Sequence, residues 1–366
     1  VLSGSGTAAA SAVARLANSS EVANWDALCA ANPGGGEVWS GDAYLRVKCA
    51  EGRYRQHRVI VDRAGENPIA VGVLAKRVPL LGEWWHLPAG PAGEDASRLL
   101  ETAAAVAALA RSRGVFMLKI EPRTGPDSRT AIHAAGYRDT VRIIPNPSTI
   151  LVDVSGSEAD VFKRIGKKAR NSITRAARDG IVVTRVAATE EHCAALFGLL
   201  QETAEGRFVL RAESYYRAFW QTFEAADAGQ IFLAHRADES GQLQLVAGAF
   251  AMGLGAKTTY KDGASVRAKT AYGASHALQW EVIRWANERG AVLHDLCGAP
   301  PSDRVDDTDH PLHGVGQFKR SFAPEIIDYA GAFDLPLKPW AFAFWVKLGD
   351  RLARRLSLAI RKDPYY

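Results

Sequence analysis

Cysteine is scarce: four among 366 residues, at Cys29, Cys49, Cys193 and Cys297, far from one another. No CxxC pair occurs and no Cys/His group has zinc spacing, so neither a structural zinc site nor a redox dithiol organises the chain. Long apolar runs are missing too. The longest is the alanine-rich Ala103–Ala110, far short of the ~20 residues that span a bilayer, and it reads as a soluble helix. No basic-then-apolar signal sequence is seen at the start, and with the scattered thiols a reducing cytoplasm is expected. Neither a phosphate-binding GxxxxGK[ST] loop nor a GxSxG elbow is present. Charge of one sign does not dominate: 45 Lys+Arg against 40 Asp+Glu leave +5. That balance permits an anionic partner without requiring one.

The chain is long for a single core, so two domains are expected. Residues 1–20 are rich in Ala, Ser and Gly and read as a flexible leader. The stretches 54–62 and 69–78 carry β-branched residues around Gly65-Glu66-Asn67-Pro68, which predicts a hairpin. A third strand over 83–87, a helix over 96–111 and a buried strand over 115–120 follow. Helix, strand meander, helix and strand then recur across 190–296, so two copies of one α/β unit with mixed sheets are expected. Pro145-Asn146-Pro147 marks the linker.

The strongest local feature runs from Phe162 to Arg178. Lys163, Arg164, Lys167, Lys168, Arg170, Arg175 and Arg178 are basic, and no acid interrupts them. Phe162, Ile165, Ala169, Ile173 and Ala176 recur at helical spacing, which predicts one helix with an apolar face and a cationic remainder, closed by Gly180. Like charges at helical spacing repel, so a row this uniform suits the phosphates of an anionic polymer better than a plain solvated face. A second feature is Gly314-Val-Gly-Gln-Phe-Lys-Arg-Ser-Phe322, where Lys319 is a cation able to steady an oxyanion and Phe318 an apolar wall. A third is Arg207 to Arg211 followed by Tyr215-Tyr216, a basic and aromatic set suited to a phosphate–sugar ligand. The segment Tyr260 to Ser265 is expected to end a strand in a turn and offer hydroxyls to the same cleft. Asp303, Asp306, Asp307, Asp309 and His310 lie in a polar loop read as a lid or a solvated loop. No metal and no cofactor are expected. The tail from Trp340 carries Leu348, Leu352, Leu356 and Ile360 at helical spacing among basic residues. It reads either as a helix packed on its own domain or as one lying on the inner face of an anionic membrane.

Taken in order, the Phe-Lys-Arg-x-x-Lys-Lys-Ala-Arg-Asn run, Arg207 to Tyr216, the Tyr260 to Ser265 segment, Asp295-Leu-Cys-Gly298 and Gly316-Gln-Phe-Lys319 resemble the FemABX family of aminoacyl-tRNA-dependent peptidyltransferases. Upstream, Trp25-Asp26, Tyr44 to Lys48 and Leu87 to Pro91 fit as well, so the likeness covers about residues 21 to 337. The resemblance implies an α/β fold of two tandem GNAT-like domains, 21–148 with 330–366 and 149–329, in the compact form without a coiled-coil arm. It implies transfer of an amino acid from aminoacyl-tRNA to the stem-peptide amine of a peptidoglycan precursor, lipid II or UDP-MurNAc-pentapeptide. By motif it implies Phe318 and Lys319 at the oxyanion and Glu121 as a general base. It places Lys48, Arg207, Arg211, Tyr215, Tyr216 and Tyr260 on the precursor. Lys163, Arg164, Lys167, Lys168, Arg170 and Arg175 fall on tRNA.

Three alternatives stand beside it. One keeps the tRNA donor with a peptide-antibiotic or lipid acceptor. Another is an acyl-CoA N-acyltransferase using a turn near Ala268 to Ser275, although that segment holds only Gly273. The third is a non-enzymatic RNA- or membrane-binding protein.

Overall fold

The computed structural model describes residues 12–144, 146–204, 209–238, 240–266, 272–361 and 365. The first sheet contains β1 (Val13–Leu16), β2 (Arg55–Asp62), β3 (Ile69–Val78), β4 (Gly82–Leu87), β5 (Met117–Ile120) and β6 (Arg138–Asp139). A short strand, β7 (Ser148–Thr149), leads into the second sheet: β8 (Leu151–Asp153), β9 (Ile181–Val186), β10 (Gly229–Ala237), β11 (Leu243–Leu254), β12 (Lys257–Ser265) and β13 (Leu293–Asp295). The chain then adds β14 (Ile327–Asp328) beside β7 and returns β15 (Phe333–Pro336) to the first sheet.

The strand orders, β1-β2-β3-β4-β5-β15-β6 and β9-β10-β11-β12-β13-β8, match position by position over the first six places. In each sheet an antiparallel meander is followed by one parallel pair, β4 with β5 and β12 with β13. A parallel pair needs a crossover, and a helix supplies it each time. Ala96–Ser112 is capped by Asp95, whose carboxylate accepts from the Arg98 N–H at 2.8 Å, and it buries Leu99, Ala103, Val106 and Ala110 at helical spacing. Ala274–Glu288 is its counterpart in the second half. This is the tandem, mixed-sheet α/β architecture expected from the sequence.

The sixth strand of each sheet comes from the other end of the repeat. β8 follows the first half in sequence but pairs with β13, whereas β15 follows the second half and pairs with β5. The exchange stitches the halves together. Lys257 meets Glu37 at 2.6 Å across them, and the Ala256 N–H donates to the Gly35 carbonyl at 2.9 Å. One apolar cluster runs through both halves, from Trp25 and Trp39 to Phe219 and Phe250.

Four expectations need correction. The leader expected over 1–20 contains an edge strand: Val13–Leu16 pairs with Val59–Asp62, and a capped helix, Ser19–Ala23, follows; residues 1–11 lie outside the described residues. The single basic helix is two, Glu158–Arg164 and Lys167–Arg178. The break falls at Ile165-Gly166, where both residues are extended, Ile165 is buried and the Gly166 N–H donates to the Phe322 carbonyl at 3.2 Å. Tyr260 to Ser265 is not a turn but the body of β12. Lastly, the tail buries Ala341, Phe342 and Trp345, while the leucine stripe that packing on its own domain would cover faces outward.

Candidate active site

The two halves enclose a cleft of about 1020 Å³. Tyr44 and Lys48 reach it from the helix Asp42–Ala50 of the first half. Tyr215, Tyr216 and Phe219 come from the helix Glu213–Ala225, and Tyr260 to Ser265 from β12. Phe318 and Lys319 come from the helix His313–Arg320. Lys168 and Ser172, on the cationic helix, line the same space beside Gly273 and His276 at the start of Ala274–Glu288. The basic helix therefore opens onto the cleft rather than standing apart from it.

Lys319 is buried at 6 % exposure. Its Nζ donates to the carbonyls of Cys297 and Gly298 at 2.7 and 2.9 Å and lies 5.9 Å from the Tyr260 ring centroid. Burial lowers its pKa, partly offset by Cys297 and Asp295. An ammonium has three donors; two are fixed on carbonyls, and the side chain lines the cleft. The local sequence makes this possible. A Cβ on Gly316 would lie 2.5 Å from Pro300 Cδ, so only glycine lets the segment after Cys297 lie flat on the Lys319 helix. Asp295 shapes the same segment by accepting from the Cys297 N–H at 2.7 Å and from the Thr149 hydroxyl. Phe318 stands edge-on to His276 at 4.9 Å and to Phe322 at 5.5 Å. Burial, with Lys168 nearby, pulls His276 down to about 4, so it is neutral at physiological pH.

Tyr260 is held by a register fault. β11 and β12 slip between Phe250 and Ala251: Phe250 pairs with Asp262 and Ala251 with Tyr260, leaving Lys261 unpaired. A bulge re-aims side chains that strict alternation would send to opposite faces, and here Tyr260, Lys261 and Asp262 all line the cleft. A Cβ on Gly263 would sit 1.6 Å from the Tyr260 hydroxyl oxygen, so that glycine is the space the hydroxyl occupies. Lys261 pairs with Asp262 at 2.9 Å, and Asp262 also accepts from Trp220 Nε1 at 2.9 Å. Sequence reasoning passed over Lys261 and Asp262 as individual residues, as it did Ser172 and His276. Only their neighbourhood to Tyr260 or to the basic helix could have pointed to them.

At the other end, Arg211 lies 4.5 Å over the Tyr215 ring. Lys48 is pulled down to about 7 by burial and then by the Arg211 charge. Arg207 lies outside the described residues. So do residues 267–271, which hold most of the alternative turn near Ala268.

Glu121 does not line the cleft. It is buried, with the Ile143 and Ile144 N–H groups donating to its two oxygens at 2.6 and 3.0 Å, and His86 Nε2 lies 3.3 Å away. Burial works to raise its pKa, but the His86 contact and the two backbone donors outweigh it, and the carboxyl sits below its ordinary range. A carboxylate held by these donors, with its pKa lowered and turned away from the cleft, is a poor proton acceptor. The expected general base is instead a brace for the Ile143-Ile144 wall, which does line the cleft.

Of the cationic row, Arg164 is turned onto the Ser155 carbonyl and Asp153, and Arg170 onto the Lys163 carbonyl. Lys163 lies 3.8 Å from Asp160, and Arg175 pairs with Asp179 at 3.2 Å. Lys167 and Lys168 are exposed at the start of the second helix.

The fold has a close match among solved structures. The crystal structure of FemX superposes with a TM-score of 0.74 over 92% of this chain and 99% of that one, at 16% identity. In sequence, residues 230–348 match the model of the FemAB family. Over 117 residues the chain is 29% identical to the lipid II:glycine glycyltransferase of Staphylococcus epidermidis, covering 32% of this chain and 27% of that protein. Over 99 residues it is 29% identical to the aminoacyltransferase FemA of Staphylococcus aureus, covering 26% and 23%. The matched stretch thus spans about a quarter of the curated relatives' length. The likeness to the FemAB family thus lies in residues 230–348, and that segment carries Tyr260, Lys261, Asp262, Phe318 and Lys319.

Proposed function

We propose that this chain is an aminoacyltransferase. It moves an amino acid from aminoacyl-tRNA to the stem-peptide amine of a peptidoglycan precursor, lipid II or UDP-MurNAc-pentapeptide, and so builds the interpeptide bridge. The observation that carries this reading is the buried Lys319 side chain, its Nζ fixed by two carbonyls inside a cleft that the cationic helix also borders. The lipid II:glycine glycyltransferase relative supports the acceptor class, and FemA supports the reaction class.

The reaction joins the amine nitrogen to the ester carbonyl carbon, breaks the bond to the tRNA ribose oxygen, and passes the proton lost by the amine to that oxygen. Between those events the carbonyl oxygen carries a negative charge. The remaining Lys319 donor meets it, and a donor already held in place stabilises it without reorganising. Phe318 and Tyr260 wall that position. Lys48, Arg211, Tyr215 and Tyr216 hold the precursor's phosphates and sugar, while Lys167 and the cleft-lining Lys168 meet tRNA phosphates. The direct test supplies labelled aminoacyl-tRNA with UDP-linked muropeptide. Label on the muropeptide supports the reading, and label staying on tRNA with both soluble and lipid-linked acceptors overturns it.

Two further outcomes follow from the geometry. Charge reversal at Lys167→Glu with Lys168→Glu should weaken tRNA binding at least tenfold and reduce the log–log salt slope by about two, one per lost phosphate contact. Unchanged affinity in a filter-binding titration would move the tRNA site elsewhere. Lys48 gives a pH signature. With its pKa near 7, it is charged below that value and neutral above it. Affinity for the pyrophosphate-bearing precursor should therefore fall between pH 6 and pH 8.5. Calorimetry on Lys48→Met should lose that step, and an identical pH dependence in the variant would remove Lys48 from the site.

A further inference from the structure

From Pro339 to Arg361 the chain is helical without interruption, in the segments Pro339–Phe344, Trp345–Gly349, Asp350–Leu356 and Ser357–Arg361. One side is anchored: Ala341, Phe342 and Trp345 are buried, and the Trp345 ring lies 6.2 Å from Phe116 and 6.1 Å from Tyr365. The outward side is apolar. Phe344, Leu348, Leu352, Leu356 and Ile360 are 52, 58, 53, 48 and 74 % exposed. Residues four apart drift by about 40° per step around an α-helix. The segments Trp345–Gly349 and Ser357–Arg361 are wider π turns, which take back part of that drift and keep the row on one side. One residue before three of these positions stand Lys347, Arg351 and Arg355, all exposed. The only acid on these turns, Asp350, is held by Arg354 at 2.9 Å.

We propose that this helix is an in-plane membrane anchor: the Phe344–Ile360 row enters the interface of a bilayer, and Lys347, Arg351 and Arg355 meet its anionic headgroups. An apolar row beside a cationic row is the pattern of helices that lie on membranes. The charge decides the occupant. A second copy of this surface offers no acidic row to the cations, whereas an anionic lipid surface offers both the charge and the apolar layer. The helix does not cross, since among the described residues no helix is long and apolar enough to do so. The anchor is also tied to the cleft. Lys76 Nζ lies 3.4 Å from the Tyr365 ring and 4.7 Å from the Tyr54 ring, and Lys48 Nζ lies 5.4 Å from that same Tyr54 ring. Resting on the function proposed above, this stack joins the seated tail to the precursor-binding end, which suits an acceptor presented in the membrane.

The test is co-sedimentation of the full chain with vesicles of phosphatidylglycerol and phosphatidylcholine, compared with phosphatidylcholine alone. The expected result is binding at least tenfold tighter to the anionic vesicles. The combined Lys347→Gln, Arg351→Gln and Arg355→Gln variant should lose about a hundredfold of that affinity, and Leu348→Asp with Leu352→Asp at least tenfold. Both variants change exposed side chains, and an unaltered thermal melt checks that they fold. Equal binding to both vesicle types, or none, overturns the anchor. So does a dimer in solution that the leucine variant converts to monomer while neither form binds vesicles. Vesicle binding needs no substrate, so a chain that binds anionic vesicles yet transfers nothing sinks the proposed function and leaves the anchor standing.

Discussion

Replacing Lys319 by methionine is expected to lower the transfer rate by about 10²-fold or more while leaving tRNA affinity unchanged. Loss of one pre-aimed donor to a tetrahedral oxyanion typically costs that much. The side chain is buried and held on Cys297 and Gly298, so its position does not depend on bound substrate. Methionine keeps an unbranched apolar stem one heavy atom shorter and removes the charge and the donors. The two carbonyls lose a partner, which costs on the order of 1–3 kcal/mol each if they stay dry. A thermal melt must therefore accompany the kinetics. A folded variant with the wild-type rate would take Lys319 out of the chemistry, and equal loss of tRNA binding would give it a binding role instead.

The second large effect concerns the exchanged strand. Asp334 on β15 pairs with Lys119 on β5 at 2.9 Å, with both side chains almost fully buried. Lys119 also donates to the Thr140 hydroxyl and the Val141 carbonyl, both at 3.1 Å. Asp334→Ala leaves a buried ammonium without its counter-charge, and breaking a buried pair on one side costs about 3–5 kcal/mol. Urea unfolding should show that loss in the midpoint. The double replacement Lys119→Met with Asp334→Leu should recover most of it, because the uncompensated charge is gone. A single variant as stable as the parent would mean that β15 adds little to the first sheet.

The sequence showed the meanders and crossover helices because each announces itself locally. The hairpin of β2 and β3 has β-branched strands around Gly65 to Pro68, and the helix Ala96–Ser112 has an aspartate cap and an apolar row. The exchanged strands could not be read this way. β8 and β15 are three and four residues long, β15 ends in a proline, and their partners lie well over a hundred residues away. The cationic helix was legible in composition but not in its break, because Ile165 and Gly166 answer to Phe322, far along the chain. The site divides in the same manner. Phe318 and Lys319 were legible from a motif with two glycines, and the structure gives Gly316 a steric reason. Lys261 and Asp262 were not, because a bulge breaks the alternation by which strand faces are read. Glu121 misled because its partners are backbone N–H groups, which carry no residue signature.

The most direct test of the central claim is donor choice. The purified chain is given labelled aminoacyl-tRNA and, in parallel, labelled acetyl-CoA, each with the same UDP-linked muropeptide. Label is expected on the muropeptide from tRNA alone, and Lys319→Met is expected to lower that transfer by about 10²-fold or more. Acetyl transfer with no transfer from tRNA would keep the fold and contradict the function.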